Sequence, residues 1–244
     1  MAKLNPVFSG IRVDEGIETA ATVKGVAGKT ILLLLIAVVS AVASVTVGAQ
    51  VIVENPSTLL IVMIGALICG ILGQVSPNAA KIASIIYAVC EGVLLGLVSF
   101  VFDAAISGIV LTAILLTTTI FGVMLFLYST NIIRVTSRFI KAMTAIAITL
   151  LIISVIYLIS YFVNSNNVLI LALTTNTNIV LLISVLVLLY GAFMLVLDFE
   201  QVNVIVANGF DKKYEWMAAL GLMVTIVWIY IEVLRLLAIL ANRD

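Results

Sequence analysis

The sequence has 244 residues, of which 64% are hydrophobic and 10% are charged, and its mean hydropathy is +1.34. Soluble domains carry about 25% charged residues, so this composition excludes an ordinary soluble domain and predicts an all-α polytopic membrane protein in a lipid bilayer. The net charge is zero, which gives no indication of nucleic-acid binding. The sequence contains no histidine, so the usual catalytic base and the commonest metal ligand are missing.

Residues 1–29 are polar and are predicted to form a cytoplasmic N-terminal tail, followed by a seven-helix transmembrane domain over residues 30–244. A cleaved signal peptide is the alternative for the start of the chain, but apolar sequence continues to residue 53. Seven runs approach the roughly 20 apolar residues that cross a bilayer. They are residues 31–53, 58–74, 82–102, 105–128, 142–163, 179–197 and 217–240. The connection over residues 164–178 is predicted either to fold back onto the surface or to extend the sixth helix.

The seventh run contains two charged residues, Glu232 and Arg235. At helical spacing they share one stripe with small and polar residues, while large apolar residues lie beside it. The stripe consists of Ala218, Gly221, Thr225, Trp228, Glu232 and Arg235. A charge at the bilayer centre costs at least about 2.5–3.5 kcal/mol, so we expect the stripe to face protein or a wet cavity. The seventh helix is therefore predicted to be central in the bundle.

Basic residues set the orientation, because they concentrate in cytoplasmic loops. With the N-terminus inside, seven spans place ten of the twelve basic residues on the cytoplasmic side. These ten are Lys3, Arg12, Lys24, Lys29, Lys81, Arg134, Arg138, Lys141, Lys212 and Lys213. We expect a multi-pass protein of the cell (plasma) membrane with the N-terminus in the cytoplasm and the C-terminus outside.

Small residues recur at a spacing of four, a pattern that lets helix backbones approach closely. The two runs are Gly65, Cys69 and Gly73, and then Gly92 and Gly96. Packing inside the monomer is the favoured interpretation, with dimerisation as the alternative. Cys69 and Cys90 lack the spacing of a metal site or a disulfide framework, so both are predicted to pack in the core.

Three acidic residues lie in or at the edge of predicted spans, namely Glu91, Asp198 and Glu232. Glu91 is close to mid-membrane and has no evident partner in its own helix. Asp198 is predicted to close the sixth span. Carboxyl groups inside a membrane exchange protons near neutral pH and mark ion routes, which favours a path for cations or protons. The structural alternatives are a protonated Glu91, an interfacial Asp198 and an ion pair of Glu232 with Arg235 or a neighbouring helix.

Enzyme motifs are missing from the sequence. It contains no G-x-S-x-G elbow, no H-E-x-x-H and no glycine-rich phosphate loop, the motifs of hydrolases, zinc proteases and nucleotide-binding proteins. A retinal photoreceptor would need a lysine within the seventh span, and none is present there. We expect neither enzyme activity nor a cofactor.

The C-terminal third and the third span resemble a known family. The matching stretches are residues 197–202 (LDFEQV), 216–222 (WMAALGL), 233–237 (VLRLL) and 87–96 (YAVCEGVLLG). They are similar to the Bax-inhibitor/YccA-like family, also called the transmembrane Bax inhibitor motif family, and the start NPVF at residues 5–8 resembles a bacterial branch. The resemblance implies seven helices with a central last helix and a pH-sensitive calcium leak governed by two aspartates. It also implies, for some members, partnership with a membrane AAA protease.

The family residues carry over only in part. Asp198 matches the first aspartate, whereas the position of the second holds Thr225. Some bacterial members have an arginine where this chain has Gln74. Glu232, two helical turns after Thr225, is expected to take over the missing charge, and Arg235 and Gln74 are assigned structural or pairing roles.

The sequence thus predicts a cation leak channel or exchanger for calcium, protons or both. Asp198, Glu91, Glu232 and Thr225 form its pathway or gate, with Asp198 as a calcium ligand because hard cations prefer oxygen ligands. The alternative is a non-conducting regulator that binds a membrane protease or another membrane complex through residues 1–29. A small-molecule transporter is the third hypothesis.

Overall fold

The computed structural model describes residues 20–48, 57–163 and 177–242, and within them it contains seven membrane-spanning helices. The helices are α1 (Val23–Ala43, continued by a π-helical turn over Ser44–Gly48), α2 (Ser57–Val75), α3 (Ala80–Ala105), α4 (Ile109–Ser129), α5 (Ser137–Val163), α6 (Thr177–Ala207) and α7 (Tyr214–Ala241). All are long and apolar enough to cross a bilayer. The prediction of an all-α protein with seven spans is confirmed.

Several helices begin or end away from the apolar runs that predicted them. α1 begins at Val23, because the Thr22 side chain caps it by accepting a hydrogen bond of 2.9 Å from the Gly25 N–H. α6 continues past residue 197 to Ala207, so the prediction that Asp198 closes the sixth span is wrong. A polar side chain ends an apolar run, but it does not interrupt backbone hydrogen bonding. Residues 164–176, with most of the long connection, lie outside the described residues.

Glycine separates two pairs of helices. Gly108 adopts a φ of 81° between α3 and α4, and Gly209 adopts a φ of 64° between α6 and α7. Both values lie in the left-handed region, where a side chain would be strained. The fourth span therefore begins at Ile109 rather than at the predicted residue 105.

The seventh helix is central, as predicted. α7 packs against α1, α2, α3, α4 and α6. Both the polar stripe and the apolar faces are buried, with Ala218 and Thr225 on the first and Leu220 and Leu234 on the second. Gly221 and Trp228 of the stripe are half-buried, and Arg235 is exposed, so the last residue of the stripe does not face protein. Its long side chain keeps the guanidinium near the surface, close to the helix end.

The small-residue runs lie at helix contacts within the chain. A Cβ atom added at Gly92 would overlap Ala37 of α1, and one added at Gly96 would overlap Ala41 and Ser44. Close approach of α1 and α3 therefore requires glycine at both positions. Gly65 and Gly73 of α2 similarly face α3 and α7. Cys69 and Cys90 are free thiols that pack against the core, as predicted.

The segment before α1 is attached to the turn between α6 and α7. Ala20 and Asp211 form an isolated antiparallel bridge, and the Ala21 N–H donates to the Phe210 carbonyl at 2.7 Å. Ala21 and Phe210 are both buried. The start of the first helix and the start of the seventh are therefore held together at one end of the bundle.

Candidate functional site

Three of the predicted site residues, Gln74, Asp198 and Thr225, meet inside the bundle beside Gly221. We call these four residues the Asp198 cluster. A Cβ atom added at Gly221 would lie 3.3 Å from Gln74 Nε2 and 3.9 Å from Asp198 Oδ1. The Thr225 hydroxyl, one turn further along α7, lies close to the Asp198 carboxyl group. The cluster thus joins α2, α6 and α7 around the space that glycine leaves open.

The Asp198 carboxyl group is only partly satisfied. Its Oδ2 atom is buried and has no hydrogen-bond partner in the described part of the chain. Both ion pairs of the described residues lie elsewhere, at Lys29–Glu215 and at Glu232–Arg235. A buried carboxyl group without a compensating cation is costly in free energy. Its presence inside a membrane protein therefore marks a candidate ion or proton site.

Glu232 lies apart from the Asp198 cluster. It follows Thr225 by two helical turns, which is about 10 Å along the axis of α7. Its residue is 8% exposed, and Oε2 lies 3.9 Å from Arg235 Nη1 without a hydrogen bond. The predicted structural pairing with Arg235 is therefore present, but only as a long contact to a half-exposed guanidinium.

Glu91 is partly buried on α3, with a neighbour in its own helix. The Tyr87 side chain, one turn earlier on the same face of the helix, lies close to the Glu91 carboxyl group. Tyr87 is therefore a neighbour of Glu91 that the sequence analysis did not name. The apolar ring of tyrosine dominates a hydropathy reading, whereas its hydroxyl can serve a buried acid.

The acidic residues of the spans lie apart from one another. Within residues 20–48, 57–163 and 177–242, no three His, Cys, Asp or Glu side chains are grouped closely enough to hold a metal ion. A cation at the Asp198 cluster would therefore be bound by one carboxylate with the neutral hydroxyl oxygen of Thr225. A site with few charged ligands binds a cation weakly. Weak binding suits a cation that passes through the protein better than one that stays bound.

A family model described as Bax inhibitor 1 like matches residues 5–242. This chain belongs to that family. The match extends over all seven helices of the Bax inhibitor 1 like chain and includes every residue of the Asp198 cluster. Comparison with curated proteins and with solved structures gives no match.

The Bax inhibitor 1 like chain also contains a buried ion pair that the sequence reasoning missed. Glu215, in the first turn of α7, is fully buried and forms an ion pair with Lys29 of α1. Its Oε1 atom accepts hydrogen bonds from the Thr22 N–H at 2.8 Å and the Thr22 hydroxyl at 3.2 Å. A Cβ atom added at Gly25 would overlap this carboxylate. Lys29 and Glu215 both lie outside the predicted spans 31–53 and 217–240, because apolar residues alone define the ends of those spans.

A second polar contact of this family member involves Glu200, two residues after Asp198 on α6. The Tyr128 hydroxyl at the end of α4 donates to Glu200 Oε2 at 2.7 Å and accepts from the side-chain amide of Asn203. It links α4 to the last turns of α6. A signal for Glu200 was available, because it belongs to the LDFEQV stretch that carried the resemblance.

Proposed function

We propose that this Bax inhibitor 1 like protein is a pH-sensitive cation leak channel or exchanger, with Asp198 as its gate. The single observation that carries the proposal is the buried Asp198 Oδ2 atom, which has no hydrogen-bond partner among the described residues. An ionised carboxylate at this depth attracts a calcium ion or a proton. When the carboxyl group is protonated, the attraction is lost and the leak falls.

The neighbours of Asp198 fit this role. Thr225 supplies a hydroxyl oxygen beside the Asp198 carboxylate, and hard cations such as calcium bind through oxygen. Gly221 keeps the space between these side chains open. Glu91 and Glu232 are proposed as further path residues, because each is a carboxyl group within a span and they lie at other depths than Asp198.

We propose the cell membrane as the location, with the N-terminus in the cytoplasm. The described basic residues lie near the starts of α1, α3 and α5, in the connection between α4 and α5, and in the connection between α6 and α7. Arg235 is the exception. In a seven-span chain these segments lie on one side of the bilayer, and basic residues favour the cytoplasmic side. The Asp198 cluster then lies in the cytoplasmic half of the bundle.

A flux assay tests the leak and its gate together. Purified protein is reconstituted into liposomes loaded with a calcium or pH indicator, and the initial rate is measured across a pH series. We expect the wild-type leak to fall as the pH is lowered, and Asp198→Asn to abolish this pH dependence. Asp211→Asn is the matched control, since its Oδ1 atom only caps the Lys213 N–H at 2.9 Å.

Two results would remove the channel proposal. One is the absence of leak above protein-free liposomes at every pH. The other is a leak of Asp198→Asn that matches the wild type in rate and in pH dependence, because the carboxylate would then have no role. A change of equal size in Asp211→Asn would assign the effect to the cytoplasmic end of the bundle rather than to the gate.

A second candidate is a non-conducting regulator that binds a membrane AAA protease through residues 1–29. The observation that favours it is the attachment of residues 20 and 21 to the turn between α6 and α7. A partner bound to the tail would therefore act directly on the start of α7. Loss of protease inhibition after removal of residues 1–19, with liposome flux unchanged, would support this candidate over the channel.

A further inference from the structure

The bundle has an apolar groove between α1 and α4 that the proposed leak does not use. It consists of two adjoining cavities of about 570 Å³ each, which share Leu34, Thr117, Thr118 and Ile226 as lining residues. The groove lies within the membrane-spanning segments. Neither cavity is lined by Asp198, Glu91 or Glu232, so this feature is separate from the proposed gate.

The first cavity opens toward lipid. Its walls include Val38 and Val42 of α1 and Ile114 of α4, with exposed fractions of 59%, 59% and 48%. Exposed apolar side chains around a cavity inside a membrane give a lipid tail access from the side. A volume of about 570 Å³ lies within the roughly 300–1,000 Å³ that is typical of small-molecule sites.

The rim of this cavity carries a negative charge. Asp103, near the end of α3, is the one charged residue in the lining of either cavity. Its Oδ1 atom accepts a hydrogen bond of 3.1 Å from the Gly108 N–H, and the residue is exposed. Because α3 ends two residues later, this carboxylate lies at the level where the lipid headgroups begin.

The wall has one unsatisfied polar group. Thr117 lines both cavities and is 6% exposed, and its Oγ1 atom has no hydrogen-bond partner in the described part of the chain. A purely hydrocarbon ligand would leave this hydroxyl without a partner, which is costly in an apolar site. A ligand with ester oxygens between its headgroup and its acyl chains can accept a hydrogen bond from the Thr117 hydroxyl.

We infer that the first cavity binds a membrane phospholipid with a primary ammonium headgroup, phosphatidylethanolamine. One acyl chain fills the cavity between α1 and α4. The ammonium group donates charge-assisted hydrogen bonds to Asp103, and an ester oxygen accepts from Thr117. An anionic headgroup would be repelled by Asp103, and a choline headgroup has no N–H to donate to it.

Lipid retention by the full-length protein tests this site. Protein is equilibrated in mixed micelles that contain equal amounts of phosphatidylethanolamine and phosphatidylglycerol, and the bound lipids are counted by native mass spectrometry. We expect the wild type to retain phosphatidylethanolamine preferentially. Val42→Trp and Ile114→Trp, which fill the cavity from opposite walls, should lower its retention about tenfold. Val39→Trp is the matched control, because Val39 is 68% exposed on the same helix but does not line either cavity.

The headgroup contact is tested with Asp103→Asn, which retains an oxygen that can accept from Gly108. We expect this variant to lower the preference for phosphatidylethanolamine over phosphatidylglycerol about tenfold. Circular dichroism and gel filtration verify that each variant is folded. Equal retention by Val42→Trp, Ile114→Trp and Val39→Trp would overturn the site, and an unchanged preference in Asp103→Asn would overturn the ammonium contact.

Discussion

Removing the charge of Lys29 measures how strongly the buried ion pair holds α1 to α7. The side chains of Lys29 and Glu215 are 15% and 1% exposed. Loss of one partner of a buried ion pair costs about 3–5 kcal/mol, because the other charge remains buried. The two hydrogen bonds from Thr22 remain to stabilise the carboxylate, so we expect Lys29→Met to cost about 3 kcal/mol.

The assay is equilibrium unfolding of the purified protein in detergent micelles, with Glu215→Gln and the double variant measured beside Lys29→Met. We expect the double variant to cost much less than the sum of the two single variants, because no unpaired charge is left. Lys24→Met is the matched control at an exposed lysine, with an expected change within about 0.5 kcal/mol. Additive costs, or a Lys29→Met as stable as Lys24→Met, would refute the reasoning.

Two further predictions concern helix packing and the end of α4. Gly92→Ala should destabilise the protein by several kcal/mol, since its Cβ atom would overlap Ala37. Gly122→Ala, with nothing within 4 Å of the added Cβ atom, should stabilise the protein by about 0.5–1 kcal/mol. Thermal unfolding of both variants tests this difference, and equal shifts in their melting temperatures would contradict it. Tyr128→Phe should cost about 1–2 kcal/mol, because the Glu200 acceptor loses its donor, and an unchanged midpoint in denaturant would contradict this contact.

The number of spans and the central place of α7 could be predicted from the sequence. Length and hydropathy predict the number of spans, because a bilayer fixes how many apolar residues a helix needs. The central place of α7 is predicted by Glu232 and Thr225 on one stripe of the seventh run, since a polar stripe cannot face lipid. Helix ends were less predictable. α1 and α6 include polar residues beyond their apolar runs, and hydropathy does not indicate whether such residues are helical.

The composition of the candidate site could be predicted only in part. Asp198, Thr225 and Gln74 were named from the resemblance, and they meet around Gly221. Their arrangement depends on how α2, α6 and α7 pack, which a one-dimensional pattern does not contain. The ion pair of Lys29 with Glu215 joins residues 186 positions apart. No local spacing rule connects two such residues, so only the folded chain brings them together.

The central place of α7 constrains how the protein is made. A ribosome delivers the helices in order, so α1 to α6 enter the bilayer before the helix that packs against five of them. Until α7 arrives, Lys29 lacks its counter-ion, and Asp198 of α6 lacks Gly221 and Thr225, its neighbours on α7 in the finished bundle. A nascent chain at this stage exposes polar groups to lipid, and it is then a target for insertion chaperones and for membrane quality control.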